Sequence, residues 1–228
     1  IPLSLGLETA GGAVAKLVVR NTMVPTRAVE MFSTSVDGQV NVALHVVQGE
    51  REMVADCRSL SRFELRGLPP MPAGIPQIEV TFNVDANGVL GVEAVERRSG
   101  RRARVQVLPS HGLTREEVAQ IEADSYTHAR EDMLVHRVVD LAVNAALDVK
   151  WIQEALSRVR DILPGSTIDA VESHLVIVEG LIASARENPR AVDADAFQAA
   201  KESLDRASMP VHEAAITRSL RDDGIESD

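Results

Sequence analysis

The residues of this chain that could support covalent or metal chemistry are few and scattered. A cysteine nucleophile needs a base, an orienting third group and oxyanion donors. The single Cys57 has only His45 as a candidate base, in a region with the pattern of strands and turns. A metal site needs several convergent ligands, but of the six histidines only His128 and His136 share a predicted helix. We therefore predict no catalytic residue and no metal site.

A different chemistry, the burial of a ligand's apolar side chain, is indicated on either side of Asp37-Gly38. Side chains alternate along a strand, so Val42 and Leu44 should point to one face. Phe32 is expected opposite them across a primed-turn hairpin. A pocket of this kind would bind a Leu-like side chain with roughly 1.5–3 kcal/mol. The alternative is that all three residues are ordinary core.

Composition excludes several other classes of function. Lys and Arg number 24 and Asp and Glu 34, giving a net charge of −10, and aromatic residues make up 3%. This balance argues against a nucleic-acid surface, and the basic cluster Arg97–Arg102, which flanks a Ser-Gly pair, is better explained as a solvated hairpin tip. No run of eighteen apolar residues occurs, which argues against a membrane span. The single cysteine fits a reducing compartment, and we expect the cytoplasm.

The first half of the chain has the pattern of a β-sandwich. Short runs of alternating Val, Ile, Leu and Thr are separated by Gly11-Gly12, Asp37-Gly38 and Asn87-Gly88. Prolines 69 to 76 indicate an irregular connection, because proline cannot donate to a strand ladder. About eight strands fit, and they predict an antiparallel sandwich over residues 1–112.

The second half changes to a helical period. Thr114 and Glu117 form a capping box at the start of a long helix. Apolar residues then recur every three or four positions from 138 to 163, from 168 to 185 and from 197 to 207, separated by Pro164-Gly165 and Asn188-Pro189. We predict a long helix and a small antiparallel helical bundle over residues 113–228, with a frayed tail from Arg221. Trp151 is expected to be partly buried.

Four segments of the first half closely resemble the substrate-binding domain of DnaK-type chaperones, the seventy-kilodalton heat-shock class. They are the Ile-Pro-Leu-Ser-Leu-Gly-Leu-Glu-Thr opening at 1–9, Arg20-Asn21-Thr22 with Pro25, His45–Arg51, and Gly74–Phe82 with the Asp and Asn-Gly that follow. They occur in the family's order and spacing. Within that family, Asp56–Gly67 and Pro72-Ala73-Gly74 resemble the HscA branch.

The resemblance assigns the peptide-binding residues and the partners. Leu7, Phe32, Ser33, Val42 and Leu44 match the positions that line the family's central pocket, and Ala10 and Ser35 match those that arch over the peptide. The bound ligand would be an extended apolar or proline-containing segment of a client. For the HscA branch that client is the iron–sulfur scaffold protein, through a Leu-Pro-Pro-Val-Lys-like segment, with a J-domain co-chaperone.

The same resemblance implies that an ATPase domain and a linker belong before Ile1, in a chain about three times longer. No cofactor is expected in the residues present, because no phosphate-binding Gly-rich loop occurs among them, and the full-length protein would hydrolyse ATP. The helical half would form a lid. The family usually carries a larger arch residue than Ala10 or Ser35, and an Arg at the Ala73 position that ties the lid to the sandwich. We therefore expect an open arch and a lid held by other contacts.

Two further hypotheses remain open at this stage. The chain could be a general DnaK-type folding chaperone and not a member of the HscA branch. It could also be a helical adaptor or oligomerisation module, because its acidic bundle carries heptad-like stripes that could pair with another chain.

Overall fold

The computed structural model describes residues 1–109 and 113–222, and these form two compact units, Ile1–Asp132 and Met133–Asp228. The predicted subdomain boundary at 112/113 and the end of the predicted frayed tail lie outside the described residues. Among the described residues, no helix combines the length and the apolar character that a membrane span needs.

The first unit contains eight strands in two four-stranded antiparallel sheets, which confirms the predicted sandwich. One sheet has the order β2-β1-β4-β5 and the other the order β3-β6-β7-β8. The strands are β1 Leu5–Glu8, β2 Val14–Val18, β3 Thr26–Phe32, β4 Asn41–Gln48, β5 Arg58–Arg66, β6 Ile78–Val84, β7 Leu90–Glu96 and β8 Arg102–Val107, with a short 3-10 helix at Val54–Asp56.

The sandwich core follows the period of two that the sequence shows. Every second residue of β6 and β7 is buried, including Phe82 and Leu90, because the two sheets face each other across these side chains. The β6–β7 and β7–β8 connections are tight turns, with Gly88 at φ 79° and Gly100 at φ 69°. These are the hairpins that Asn87-Gly88 and the Arg97–Arg102 cluster predict.

The predicted hairpin at Asp37-Gly38 is wrong. Its flanking strands lie in different sheets, since β3 pairs with β6 and β4 pairs with β1 and β5. Gly38 does have a positive φ of 64°, but its N–H donates to Met71 O and the Asp37 carboxylate accepts from Ala73 N. The turn residues are therefore used to cross between sheets. Met71 and Ala73, in the proline-rich connection, make these hydrogen bonds with the turn in place of a partner strand.

The helices are α1 Arg115–Val159, α2 Gly165–Glu187 and α3 Ala194–Asp222, with a 3-10 turn at Pro189–Ala191 between the last two. The capping box is present: Glu117 N donates to Thr114 Oγ1 at 3.2 Å, and Thr114 N donates to the Glu117 carboxylate at 2.8 Å. These bonds lower the pKa of Glu117.

In the second unit the predicted stripes meet in one core. It contains Val149 and Ile152 of α1, Val171 and Val178 of α2, and Phe197 of α3. Lys201 on α3 bonds Asp148 on α1 at 2.9 Å and Asp205 at 3.0 Å. Burial alone would lower the Lys201 pKa, but its two carboxylate partners raise it. The prediction for Trp151 is wrong, because its side chain is 54% exposed. Trp151 precedes the stripe residue Ile152 by one position, so its side chain points about 100° around the helix from the buried stripe.

Candidate functional site

The sandwich has an open groove of about 510 Å³ that residues of both sheets line. All seven residues predicted from the sequence line it: Leu7, Ala10, Phe32, Ser33, Ser35, Val42 and Leu44. Since they come from β1, β3, β4 and two connections, only the folded chain brings them together.

The floor of the groove is apolar and rests on the core. Leu7 and Leu44 are each 2% exposed, while Phe32 and Val42 are half-buried and pack on the same cluster. Val42 and Leu44 share a face of β4, as the alternation predicts. Phe32 approaches them from the other sheet, where it pairs with Ile78, and not from a hairpin partner. An apolar side chain placed on this floor would contact both sheets.

Two connections form the walls of the groove. One is the β1–β2 turn, where Thr9 N donates to Ala13 O and Gly12 N donates to Thr9 O. The other is the crossing between β3 and β4, where the Ser33 hydroxyl donates to Pro76 O at 2.7 Å. Ala10 and Ser35 stand exposed on these walls, one on each side. Both side chains are small, so neither extends far over the groove.

One side of the groove is polar, and sequence reasoning did not find it. Glu8, His45 and Arg62 line this side. His45 Nδ1 lies 2.6 Å from a Glu8 carboxylate oxygen, and its Nε2 lies 2.8 Å from Ser59 Oγ. Because Glu8 and Ser59 are far apart in sequence, only the register of β1, β4 and β5 could have revealed this set.

The order carboxylate, imidazole, hydroxyl is also that of a hydrolytic triad. However, Ser59 is not among the residues that line the groove. It is the second residue of β5, opposite Val47 beside an irregularity in the ladder, and not on the sharp turn that exposes a nucleophile. The set accounts for the bonding of a largely buried histidine and gives no reason to propose hydrolysis.

Cys57 makes no hydrogen bond to this set of residues. Its thiol donates to Arg51 O at 3.5 Å, and burial raises its pKa to about 11. Such a thiol is almost entirely protonated at neutral pH and is a poor nucleophile. Within residues 1–109 and 113–222, no group of three His, Cys, Asp or Glu side chains is placed to hold a metal ion.

The first turns of α1 belong to the sandwich unit, and ion pairs attach them to it. Arg51 makes two bonds to Asp132, at 2.5 and 2.9 Å, and the Asp132 side chain is only 3% exposed. Burial alone would raise the Asp132 pKa, but the bonds and charge of Arg51 outweigh it and lower the pKa. Arg20 pairs with Glu122 at 3.0 Å and bonds the Tyr126 hydroxyl. Both pairs join residues far apart in sequence, and sequence reasoning missed them.

Ala73 takes no part in such an attachment. It is 5% exposed, and its N–H donates to the Asp37 carboxylate at 2.9 Å, within the groove wall. The ion pairs that hold the first turns of α1 are made by Arg20 and Arg51, elsewhere on the sandwich.

Comparison with known proteins gives one consistent match. The model of the Hsp70 protein family matches residues 1–217. The chain is 43% identical over 221 residues to the chaperone protein HscA homolog of Shewanella loihica, covering 97% of this chain and 34% of that protein. It is 47% identical over 180 residues to the HscA homolog of Methylococcus capsulatus, covering 79% and 29%. It is 42% identical over 221 residues to the chaperone protein HscA of Photorhabdus laumondii, covering 97% and 35%.

The chain thus spans about a third of the length of the curated relatives that it matches. The segments that carry the sequence resemblance build β1, the end of β4 and most of β6, and they supply Leu7, His45 and Ile78 to the groove. The family match extends through the helices to residue 217. The chain belongs to the Hsp70 protein family, and within it to the HscA branch of chaperones.

Proposed function

We propose that this chain binds extended apolar segments of client proteins in the groove. The observation that carries the proposal is the apolar floor, where Leu7, Phe32, Val42 and Leu44 from both sheets surround one space. An extended peptide can bond to a groove through its main chain, which gives affinity without regard to side chains. One buried Leu-like side chain then adds roughly 1.5–3 kcal/mol of selectivity.

The test is a titration with a labelled, extended, Leu-centred peptide, followed by anisotropy. In Val42→Phe a ring fills the floor, so we expect binding to weaken at least tenfold, about 1.4 kcal/mol. The matched control is Val176→Phe on α2, where the valine is 69% exposed and belongs to the other unit. The control should bind as the unaltered chain does. Equal affinities for the two variants would contradict the assignment of the floor.

We further propose that the preferred client segment contains consecutive prolines, as in the Leu-Pro-Pro-Val-Lys-like segment of the iron–sulfur scaffold protein. The small Ala10 and Ser35 leave room above the floor for proline rings. A Pro-Pro segment is already extended, so it loses little backbone entropy on binding. It should outcompete an equally apolar peptide in which alanines replace the prolines. Equal inhibition constants would favour a general folding chaperone.

The remaining parts of the proposal concern the longer protein. We place the chain in an HscA-type chaperone whose ATPase domain and J-domain co-chaperone control peptide affinity, while this region itself carries no enzymatic step. It would assist iron–sulfur protein maturation by holding the scaffold. The single Cys57 is compatible with the cytoplasm. Adding the ATPase domain of an HscA protein should make peptide release faster with ATP than with ADP.

A further inference from the structure

The sandwich carries a concentration of arginine that groove binding does not explain. Residues 58–66 and 97–104 contain eight arginines and one glutamate, in a chain whose net charge is −10. Five of these side chains are exposed along β5, along β8 and just before β8. We call them the arginine seam: Arg62, Arg66, Arg101, Arg102 and Arg104.

The seam is continuous because two sheet edges meet there. β5 and β8 are the edge strands of different sheets, and they lie in contact. At one end of the contact, a side-chain carbon placed on Gly67 would stand 3.5 Å from Arg101 Nε. At the other end, Arg58 donates to Pro109 O at 3.4 Å. The two strands therefore run antiparallel to each other, and both carry arginines at exposed positions.

Among the described residues, the seam has few counterions. Arg66 pairs with Glu64 at 2.7 Å. For the other four seam arginines, the described part of the chain places no carboxylate within ion-pair distance. The nearest candidate by register is Glu93, directly opposite Arg104 across the β7–β8 ladder. Like charges close together on neighbouring strands repel one another, and an anionic ligand would relieve that repulsion.

The seam begins at the groove. Arg62 lines the polar side of the groove, directly opposite His45 in the β4–β5 ladder. From Arg62 the seam runs along β5 toward Arg66, a span of about 13 Å for four residues at the rise of a strand. This stretch of β5 pairs with residues 41–45 of β4, which include Val42 and Leu44 of the floor, so it borders the groove. About four extended residues of a bound chain would lie along it.

Arginines on edge strands can also serve only to prevent edge-to-edge pairing with other chains. Here the charge is spread over two neighbouring edges that carry several arginines each. A nucleic acid would also satisfy the charge, but aromatic residues for base stacking make up only 3% of the chain. An acidic polypeptide fits both the charge and the continuity with a peptide groove.

We propose that the arginine seam binds an acidic stretch of the same client polypeptide whose apolar segment occupies the groove. This inference rests on the proposed function and narrows the client class to chains in which a cluster of Asp or Glu flanks the apolar anchor on one side. Binding at the seam adds affinity through the link between the two segments, since the second contact is intramolecular.

The test compares three labelled peptides that share one Leu-centred anchor. One has neutral flanks, one carries four glutamates before the anchor, and one carries them after it. We expect one of the two acidic peptides to bind at least tenfold more tightly than the neutral peptide at low salt, with the advantage shrinking at high salt. The variant Arg102→Ser with Arg104→Ser should lose this advantage and bind the neutral peptide unchanged.

The matched control, Arg27→Ser with Arg130→Ser, removes the same charge from exposed positions off the seam and should keep the advantage. If the neutral peptide binds but neither acidic peptide gains, or the control loses the gain equally, the seam inference is wrong and the proposed function stands. If the neutral peptide does not bind, the proposed function itself fails. A short RNA that displaces the acidic peptide from the seam at lower concentration than free polyglutamate would overturn the inference in favour of a nucleic-acid site.

Discussion

The sandwich and the helical unit use the same residue types under different constraints, and glycine illustrates this. A β-carbon on Gly6, in β1, would stand 2.6 Å from the Ala15 carbonyl oxygen of β2. On Gly180, in α2, it would meet nothing within 4 Å. The helical unit depends on a periodic apolar stripe that tolerates change elsewhere. The packing of the sandwich depends on the residue type at individual positions such as Gly6. The groove is formed by this half of the chain.

The largest effect should come from the contacts that attach α1 to the sandwich unit. Replacing Arg51 by Met leaves the buried Asp132 carboxylate without its partner, which typically costs about 3 kcal/mol or more. The matched change Arg20→Met breaks a more exposed pair and should have a clearly smaller effect. Hydrogen exchange of residues 115–132 measures both. Similar loss of protection in the two variants would show that burial does not distinguish these pairs.

The glycine comparison gives the next largest effect. Gly6→Ala forces β1 and β2 apart and should destabilise the sandwich by about 2–3 kcal/mol. Gly180→Ala should stabilise α2 by about 1 kcal/mol, because alanine is the better helix former at an exposed position. Hydrogen exchange resolves β1 and α2 in the same experiment. A change of the same sign in both variants would contradict the contrast between the units.

A smaller loss of stability should follow when the pH is lowered. The folded-state pKa of Asp132 is lowered, so its contribution to stability is present above the unfolded-state value of about 3.9 and is lost as pH falls below it. Tyr126 is the only tyrosine and bonds Arg20, so 3-fluorotyrosine reports on the first turns of α1 through one fluorine resonance. The resonance should be constant from pH 7 to about 5 and shift below about 4. In Asp132→Asn the shift should already be present at pH 7.

The sequence was sufficient for features that depend on neighbouring residues. The Thr114–Glu117 cap, the turns at Gly88 and Gly100 and the helix stripes were all predicted correctly, because each depends on residues within a few positions. The floor of the groove was predicted from the alternation of Val42 and Leu44 together with the family resemblance.

The failures concern residues that meet over long distances in sequence. Asp37-Gly38 does form a turn, but which strands then pair depends on β6 and β1, so the expected hairpin was wrong. Arg51 and Asp132 are 81 residues apart, and no local pattern links them. The Glu8–His45–Ser59 set likewise depends on the register of three strands. From the sequence, the arginines at 97–102 predicted only a hairpin tip. The contact between β5 and β8, which defines the seam, depends on the folded structure.

In the proposed function the apolar floor of the sandwich, and not the helical unit, receives the client's anchor side chain. The most direct measurement is photo-crosslinking with a peptide whose central Leu is replaced by photo-leucine, followed by mass spectrometry of the adducts. We predict adducts on the segments that contain Leu7, Phe32 and Val42, all suppressed by unlabelled peptide. Adducts concentrated instead around the exposed Trp151, Val176 and Ile177 would contradict the account and support a helical adaptor.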